Sequence, residues 1–461
     1  MDILHKERHL LENAASQLIS EALRQGADSA EVCGSYGQRS KISLEKQDFH
    51  LASTDDGYQL GIRVLKGQQQ GFASCNTLEA KELKEIAARA VEIAGFSPEN
   101  PHFSIQSVSS GKTDHSLEMW DESLSRISLQ TQKDWALWMS QEFLKDKRIR
   151  LNEGALEVGR GLYSVSNSKG THQLESETNC NWTLMGMAAE EDNITSFDYF
   201  SQISRKSMGI GDKIVSSSRR FRDSLLRNLK TGPATSYKGL VLFSPRAVLD
   251  ILIDSVVYHL NGRVVLEGSS RWKTNDLGTK VLSPLLFLED SAWNSDRMSC
   301  GLFDREGTPT QDLALIKEGM LTAFLLDHYS AKGLHQSSNG HAVGGPSSAP
   351  TVGSHNLSLR GGTQALNTLM AQQTTPQGIL WVNRYSGQTD PVTGDFSGVA
   401  KGSEWWVNGE FQHCVKETLV SGNVFEALGP CFLSLSQETQ VVDSSGESPT
   451  ALIDGISVTA N

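Results

Sequence analysis

The sequence is poor in the features that mark a specialised environment. Its 461 residues include six cysteines (Cys33, Cys75, Cys180, Cys300, Cys414 and Cys431), scattered and without a Cys-x-x-Cys pair. That spacing argues against a zinc knuckle and against a disulfide framework, so a reducing cytoplasm is the expected address. No run approaches the ~20 apolar residues that a membrane-spanning helix requires. The segment Met1 to Arg8 enters a charged helical pattern directly, with no apolar core of a secretory signal. Clustered basic residues are also lacking. The nearest group, Arg219, Arg220 and Arg222, reads as the solvated face of a helix, and a net charge of −12 opposes direct nucleic-acid binding. No internal repeat is visible.

What is present is an alternation of helical and extended patterns characteristic of an α+β chain. Apolar residues recur at helical spacing over 3–25 (Leu11, Ala14, Leu18, Ala22) and stop at Gly26. Short alternating segments at 29–35, 40–46 and 58–65 predict strands, and Lys66-Gly67 predicts a hairpin turn. A second amphipathic helix is expected from Thr77 to about Ala94, closing an N-terminal α+β unit, 1–100. Pro98, Pro101 and a Ser-rich tract look like a connector. A middle α+β unit, 118–230, then has helices expected at 122–146 and 216–228, with a turn at Ser168-Lys169-Gly170.

The remainder, 234–461, reads as β-rich, resembling an antiparallel barrel or sandwich. Glu318-Gly319 and Asn408-Gly409 each sit between alternating segments and predict tight hairpins. Trp405 and Trp406 are strand neighbours, so one ring should face inward and the other outward. The stretch 337–355 is rich in Gly, Ser and Pro and long for a connection, which makes it either functional or mobile.

The candidate chemistry is sparse. Pro245 to Gly262 has the apolar spacing of a core helix, with Gly262 expected to end it as a C-terminal cap. Within it, His259 and Asp254 lie about 140° apart round a helix, poor geometry for one metal. His5 and His9 have ligand spacing but stand near a terminus and read as incidental. His328, His335, His341, His355 and His413 could converge on a metal, yet their spacings match no compact site. Ser397 and Ser448 have no accompanying His/Asp pattern for serine-hydrolase chemistry, and Cys431 reads as a buried thiol.

An ordered set of short motifs resembles the TldD/PmbA family (peptidase U62, "modulator of DNA gyrase"). It comprises Phe303-Asp304-Arg305-Glu306-Gly307-Thr308-Pro309-Thr310, Ile316 to Leu321, Tyr329 to Lys332 and Ser338-Asn339-Gly340-His341-Ala342. It continues with Thr393-Gly394-Asp395-Phe396-Ser397, Trp406 to Glu410 and Val420 to Asn423, and includes Ala30-Glu31-Val32 and Gly61 to Val64 near the start. The resemblance covers nearly the whole chain.

It implies a comparison with the family's metal-bearing TldD-type chains, which carry His-Glu-x-x-x-His on this helix and a Cys near the C-terminus. Registered on that motif, Ile253 and Tyr258 stand where the two histidines belong, Asp254 replaces the Glu, and the Cys position falls near Ser448. Isoleucine cannot bind a metal, and tyrosine is a poor ligand at neutral pH. This pattern is similar to the PmbA (TldE) type. The resemblance therefore implies no catalytic residue and no metal in this chain, with zinc or a similar ion held by a TldD-type partner in a heterodimer. It further implies unfolded or small peptides as substrates and a peptide-contacting role for His259, Asn339, His341, Asp395 and Ser397. Two alternatives stay open: a self-sufficient metallopeptidase using a different histidine set, and a non-catalytic homodimeric peptide-binding or regulatory protein.

Overall fold

A computed structural model describes residues 4–46, 48–108, 117–372, 378–416 and 418–460. The N-terminal half is one sheet flanked by helices. In chain order it contains α1 (His5–Arg24), β1 (Ser29–Glu45), β2 (Asp48–Lys66), β3 (Gln69–Cys75) and α2 (Ala80–Phe96). These are followed by α3 (Leu129–Phe143), β4 (Ile149–Asn167), β5 (His172–Glu190), β6 (Asp198–Ser204) and α4 (Ile210–Arg227). The sheet runs β3-β2-β1-β4-β5, with β6 on the far side of β5.

The segments expected at 29–35 and 40–46 are thus one strand. Its polar middle reads as a turn in the sequence, yet Tyr36 is paired with Tyr58 on one side and Leu162 on the other. The expected units 1–100 and 118–230 likewise share this sheet, joined through the β1–β4 pairing of Glu31–Glu45 with Asn167–Glu153. Their apparent separation has a physical cause. A strand of 17 residues spans about 55 Å, long enough to carry two successive cores. Near one end, α1 and α2 bury Leu11, Leu18, Leu83 and Ile86 against Val32, Leu60 and Ile62. Near the other, α3 and α4 bury Trp135, Phe143, Ile214 and Phe221 against Ile42, Leu156 and Trp182. Each such side chain contributes roughly 1.5–3 kcal/mol, so packing rather than intrinsic propensity sets these helices. Of the expected connector, residues 109–116 lie outside the described residues.

The C-terminal half forms a fourteen-stranded sheet. The strands that matter below are β7 (Tyr237–Phe243), β8 (Phe287–Asp290), β9 (Leu357–Leu359), β10 (Phe432–Val442) and β11 (Gly446–Thr459). The sheet is mixed rather than wholly antiparallel: β9 runs parallel to β11, and Ile379–Val382 runs parallel to β7. Parallel pairing joins strands distant in sequence, which local patterns cannot reveal. The two expected hairpins form, with positive φ at both Glu318-Gly319 and Asn408-Gly409. Trp405 packs into the main core, and Trp406 lies on the other side beside Trp381. Among the described residues no helix is long and apolar enough to cross a membrane.

The two halves are pinned by buried charge. Glu31 of β1 accepts from Arg63 Nη2 at 2.9 Å and from Arg305 Nη1 at 3.1 Å. Arg63 Nη2 also lies 2.9 Å from Glu306, which accepts the His328 N–H. All four charged side chains are essentially inaccessible. Burial favours a protonated Glu31, but Arg63 and Arg305 outweigh it and hold the carboxyl below its ordinary pKa. The motif Asp304 to Thr310 is therefore a docking turn. The stretch 337–355 joins the same seam, since a Cβ on Gly61 would lie 2.0 Å from the Pro346 carbonyl oxygen.

Candidate functional site

The helix carrying the degenerate motif is built in three pieces: a turn at Pro245–Ala247, a π-helical segment Val248–Ile253, and α5 (Asp254–Leu260). The Ser244 hydroxyl caps its start by accepting the Ala247 N–H. Wide π-turns are uncommon and often mark functional positions. The helix does not end at a left-handed Gly262. Asn261 breaks it in an extended conformation and caps the next short helix, Gly262–Leu266. Glycine is required at 262 because a Cβ would approach Leu326 Cδ2 to 2.5 Å and the Leu325 carbonyl oxygen to 2.7 Å.

Along this helix Ile253 is buried in the main hydrophobic core, Asp254 is exposed, and Tyr258 is half-buried. Ser448 is buried on β11, where its hydroxyl donates to the Pro449 carbonyl at 3.0 Å. An aliphatic chain, a phenol and a hydroxyl turned to its own backbone do not suit the metal implied by the family resemblance.

Of the residues expected to touch peptide, His259 and His341 are fully buried, Asn339 is half-buried, and only Asp395 and Ser397 are exposed. The His259 ring is fully used. Its Nδ1 accepts the Arg271 N–H at 3.0 Å, so Nε2 bears the hydrogen and donates to the Val392 carbonyl at 3.2 Å. Burial holds its pKa below the ordinary imidazole value. His259 is a satisfied core histidine. The Asn339 amide is likewise committed, accepting from the Leu326 N–H and donating to the Phe324 carbonyl. Asp395 accepts from the Asn423 amide at 2.8 Å.

Two of the five C-terminal histidines do converge. His341 Nε2 lies 3.0 Å from Asp290 Oδ2, and His355 Nδ1 lies 3.2 Å from the same oxygen. The His355 backbone N–H also donates to it, at 2.7 Å. Asp290 closes β8, 51 residues from His341 and 65 from His355, so no sequence spacing could expose the trio. Burial opposes ionisation of Asp290, but the two histidines prevail and hold its carboxyl well below the usual range. Burial similarly holds His341 below the ordinary imidazole pKa.

Two clefts complete the survey. One, of about 690 Å³, lies beside the start of the degenerate helix and is lined by Tyr199, Arg220, Arg246, Arg384, Thr439 and Val441. Arg246 is clamped there by both oxygens of Asp443, at 2.7 and 2.8 Å. Its wall includes β10, which pairs with β11, is bridged on its other side to Gly362 and Gln364 at Ser436 and Gln437, and is exposed over 437–441. The other, of about 650 Å³, contains Glu175 beside Trp120, Lys206 and Leu302. Burial pushes the Glu175 carboxyl up to about 7, against a single opposing hydrogen bond from the Leu302 N–H. The sequence carries no motif at either cleft.

Comparison with known proteins places this geometry. Residues 236–460 match the family model described as the PmbA/TldA metallopeptidase C-terminal domain, and residues 30–94 match that of domain 1. A "Metalloprotease PmbA homolog" from Haemophilus influenzae is 27% identical over 443 residues, covering 92% of this chain and 91% of the relative. "Metalloprotease PmbA" from Escherichia coli O157:H7 is 26% identical, covering 91% and 89%. Among solved structures, TldE from Thermococcus kodakarensis superposes with a TM-score of 0.84 over 97% of this chain and 100% of that one. At 19% identity this likeness speaks for the fold alone.

Proposed function

The chain belongs to the PmbA/TldD metallopeptidase family, and from that premise we propose that it is the PmbA/TldE-type subunit of a peptide-degrading heterodimer. The TldD-type partner would carry the zinc-like metal, and this chain would contribute chamber walls and peptide-binding surface. The observation that carries this reading is the poor donor set at the three registered positions: Ile253 in the core, Tyr258 half-buried and, on β11, Ser448 turned to its own backbone. A position occupied by an alkyl side chain has no lone pair to offer a metal.

The exposed stretch 439–441 of β10, beyond its bridge to Gln364 and beside the 690 Å³ cleft, supports the peptide-binding part. An edge strand offers unpaired N–H and C=O groups that an extended peptide can match, whatever its sequence. A folded substrate could not present its backbone in this way, which favours unfolded or short peptides. Six unpaired cysteines suit a reducing, cytoplasmic setting.

The test is reconstitution. The purified chain alone should leave an unstructured peptide intact, and addition of a TldD-type chain with zinc should produce cleavage. If this chain by itself cleaves the peptide and a chelator abolishes that cleavage, the assignment of roles is wrong.

A further inference from the structure

We propose that Asp290, His341 and His355 form a site for one divalent transition-metal ion of the zinc class, structural rather than catalytic in role. The first argument is hydrogen bookkeeping on His341. Its Nδ1 faces the Asn339 backbone carbonyl at 3.0 Å and the Asn339 side-chain oxygen at 2.9 Å, both acceptors. That side-chain oxygen is identified by its acceptance of the Leu326 N–H, while the amide nitrogen serves Phe324. Nδ1 must therefore carry the hydrogen. A neutral ring then turns the Nε2 lone pair toward Asp290 Oδ2 at 3.0 Å, an acceptor facing an acceptor. A metal ion between them removes the conflict, as would a second proton on the ring, and the titration below separates the two.

The second argument comes from Asp290. Its Oδ2 already receives the His355 N–H, whereas Oδ1 is buried with no hydrogen-bond partner. An orphaned carboxylate oxygen in the interior is costly, and an ion held by both oxygens of Asp290 is one way to satisfy it.

Geometry and chemistry agree. The ligand atoms of the three residues all lie within 4.8 Å of one another. Two separations, 3.0 and 3.2 Å, match the edge of about 3.3 Å expected for a tetrahedron with bonds near 2.0–2.1 Å. Two imidazoles and a carboxylate suit zinc or cobalt better than calcium or magnesium. The Nδ1–H to carbonyl bond is the usual support that aims a ligating histidine.

The position explains the role. His341 and His355 bracket the Gly/Ser/Pro-rich stretch, and Asp290 fixes both to the sheet. Asp290 and His341 are inaccessible and His355 is about 10% exposed, so an ion could enter beside His355 but a peptide could not reach it. The inference stands apart from the subunit reading, because a chain without peptidase activity can still hold a structural ion.

The experiment is cobalt(II) titration of the metal-stripped full-length chain alone, read by visible absorption and by thermal unfolding. Expected are one cobalt per chain, a raised Tm, at least about 100-fold weaker binding in a folded His355→Ala variant, and a thiolate charge-transfer band in His355→Cys. Absence of stoichiometric binding by the folded wild-type chain would overturn the proposal, with no variant needed. So would equal affinity in His355→Ala shown to be folded by circular dichroism.

Discussion

Two buried charge clusters lie side by side in this molecule, and they are resolved differently. At the seam, Glu31 and Glu306 meet Arg63 and Arg305, two charges of each sign. At the end of β8 a single carboxylate, Asp290, meets two imidazoles, and one of its oxygens has no partner. The clusters touch through the backbone: Arg305 N–H donates to the Ala342 carbonyl, and the Ala342 N–H donates to Asp304. The first balances its charge with its own residues and bridges the two halves, although Glu306 Oε1 and the Nε atoms of Arg63 and Arg305 have no hydrogen-bond partner. The second has one carboxylate for two imidazoles and leaves Asp290 Oδ1 unpartnered, which the proposed ion would answer. Buried charge therefore does not signify a single role; the sum of charges and the count of donors decide.

The most damaging way to break this comparison is Arg63→Met, which leaves Glu31 with Arg305 alone and Glu306 with no arginine, only His328 beside it. Removing one partner of a buried ion pair costs about 3–5 kcal/mol, so the urea midpoint should fall sharply. A fall of under 1 kcal/mol would show that the seam is not held by charge.

Glu175 extends the comparison to a buried carboxylate with one N–H and no cation on it. Its folded-state pKa is raised to about 7 from 4.5, so the folded protein holds that proton more tightly than the unfolded chain does. Stability is then unpenalised below the unfolded value, declines as pH rises from about 4.5 to 7, and levels off above. At 1.36 kcal/mol per unit the full penalty is at most about 3 kcal/mol. Glu175→Gln should match wild type at pH 4 and exceed it by up to that amount at pH 8, read by denaturant unfolding at both pH values.

Asn339→Ala sharpens the second cluster by removing the amide that anchors the turn and faces His341 Nδ1. Loss of its buried hydrogen bonds should cost about 2 kcal/mol and weaken cobalt binding without abolishing it. Val441→Lys is the smallest expected change. That side chain is 44% exposed, so stability should stay within about 0.5 kcal/mol, while peptide turnover by the reconstituted heterodimer falls if β10 is the docking edge.

Much of the fold was legible locally. The helices at α1 and α2 follow from apolar residues at 3.6-residue spacing, and the hairpins at Glu318-Gly319 and Asn408-Gly409 from residues that tolerate positive φ. The pairing of β1 with β4 was not legible, since it joins residues more than 100 positions apart and the strands' polar centres read as turns. Gly262 was misread for a related reason. A glycine at a helix end suggests a left-handed cap, but here it yields to the approach of Leu325 and Leu326. At the candidate sites, the register on the family motif selected Ile253 and Tyr258, which the structure places in the core and at half-buried depth on one helix. His341 was legible as a residue of interest, though a contact with peptide was expected and burial places it in the interior.

The chain's own chemistry decided which donor atoms stand at 253, 258 and 448: an isoleucine has no lone pair in any fold. It also decided the secondary elements, because periodicity and turn residues act within a few positions of each other. Only tertiary structure decided that Glu31 would be neutralised by two arginines and that Asp290 would meet His341 and His355. Those encounters depend on sheet pairing between distant segments, and a buried charge takes its partner from whatever the fold brings within about 3 Å.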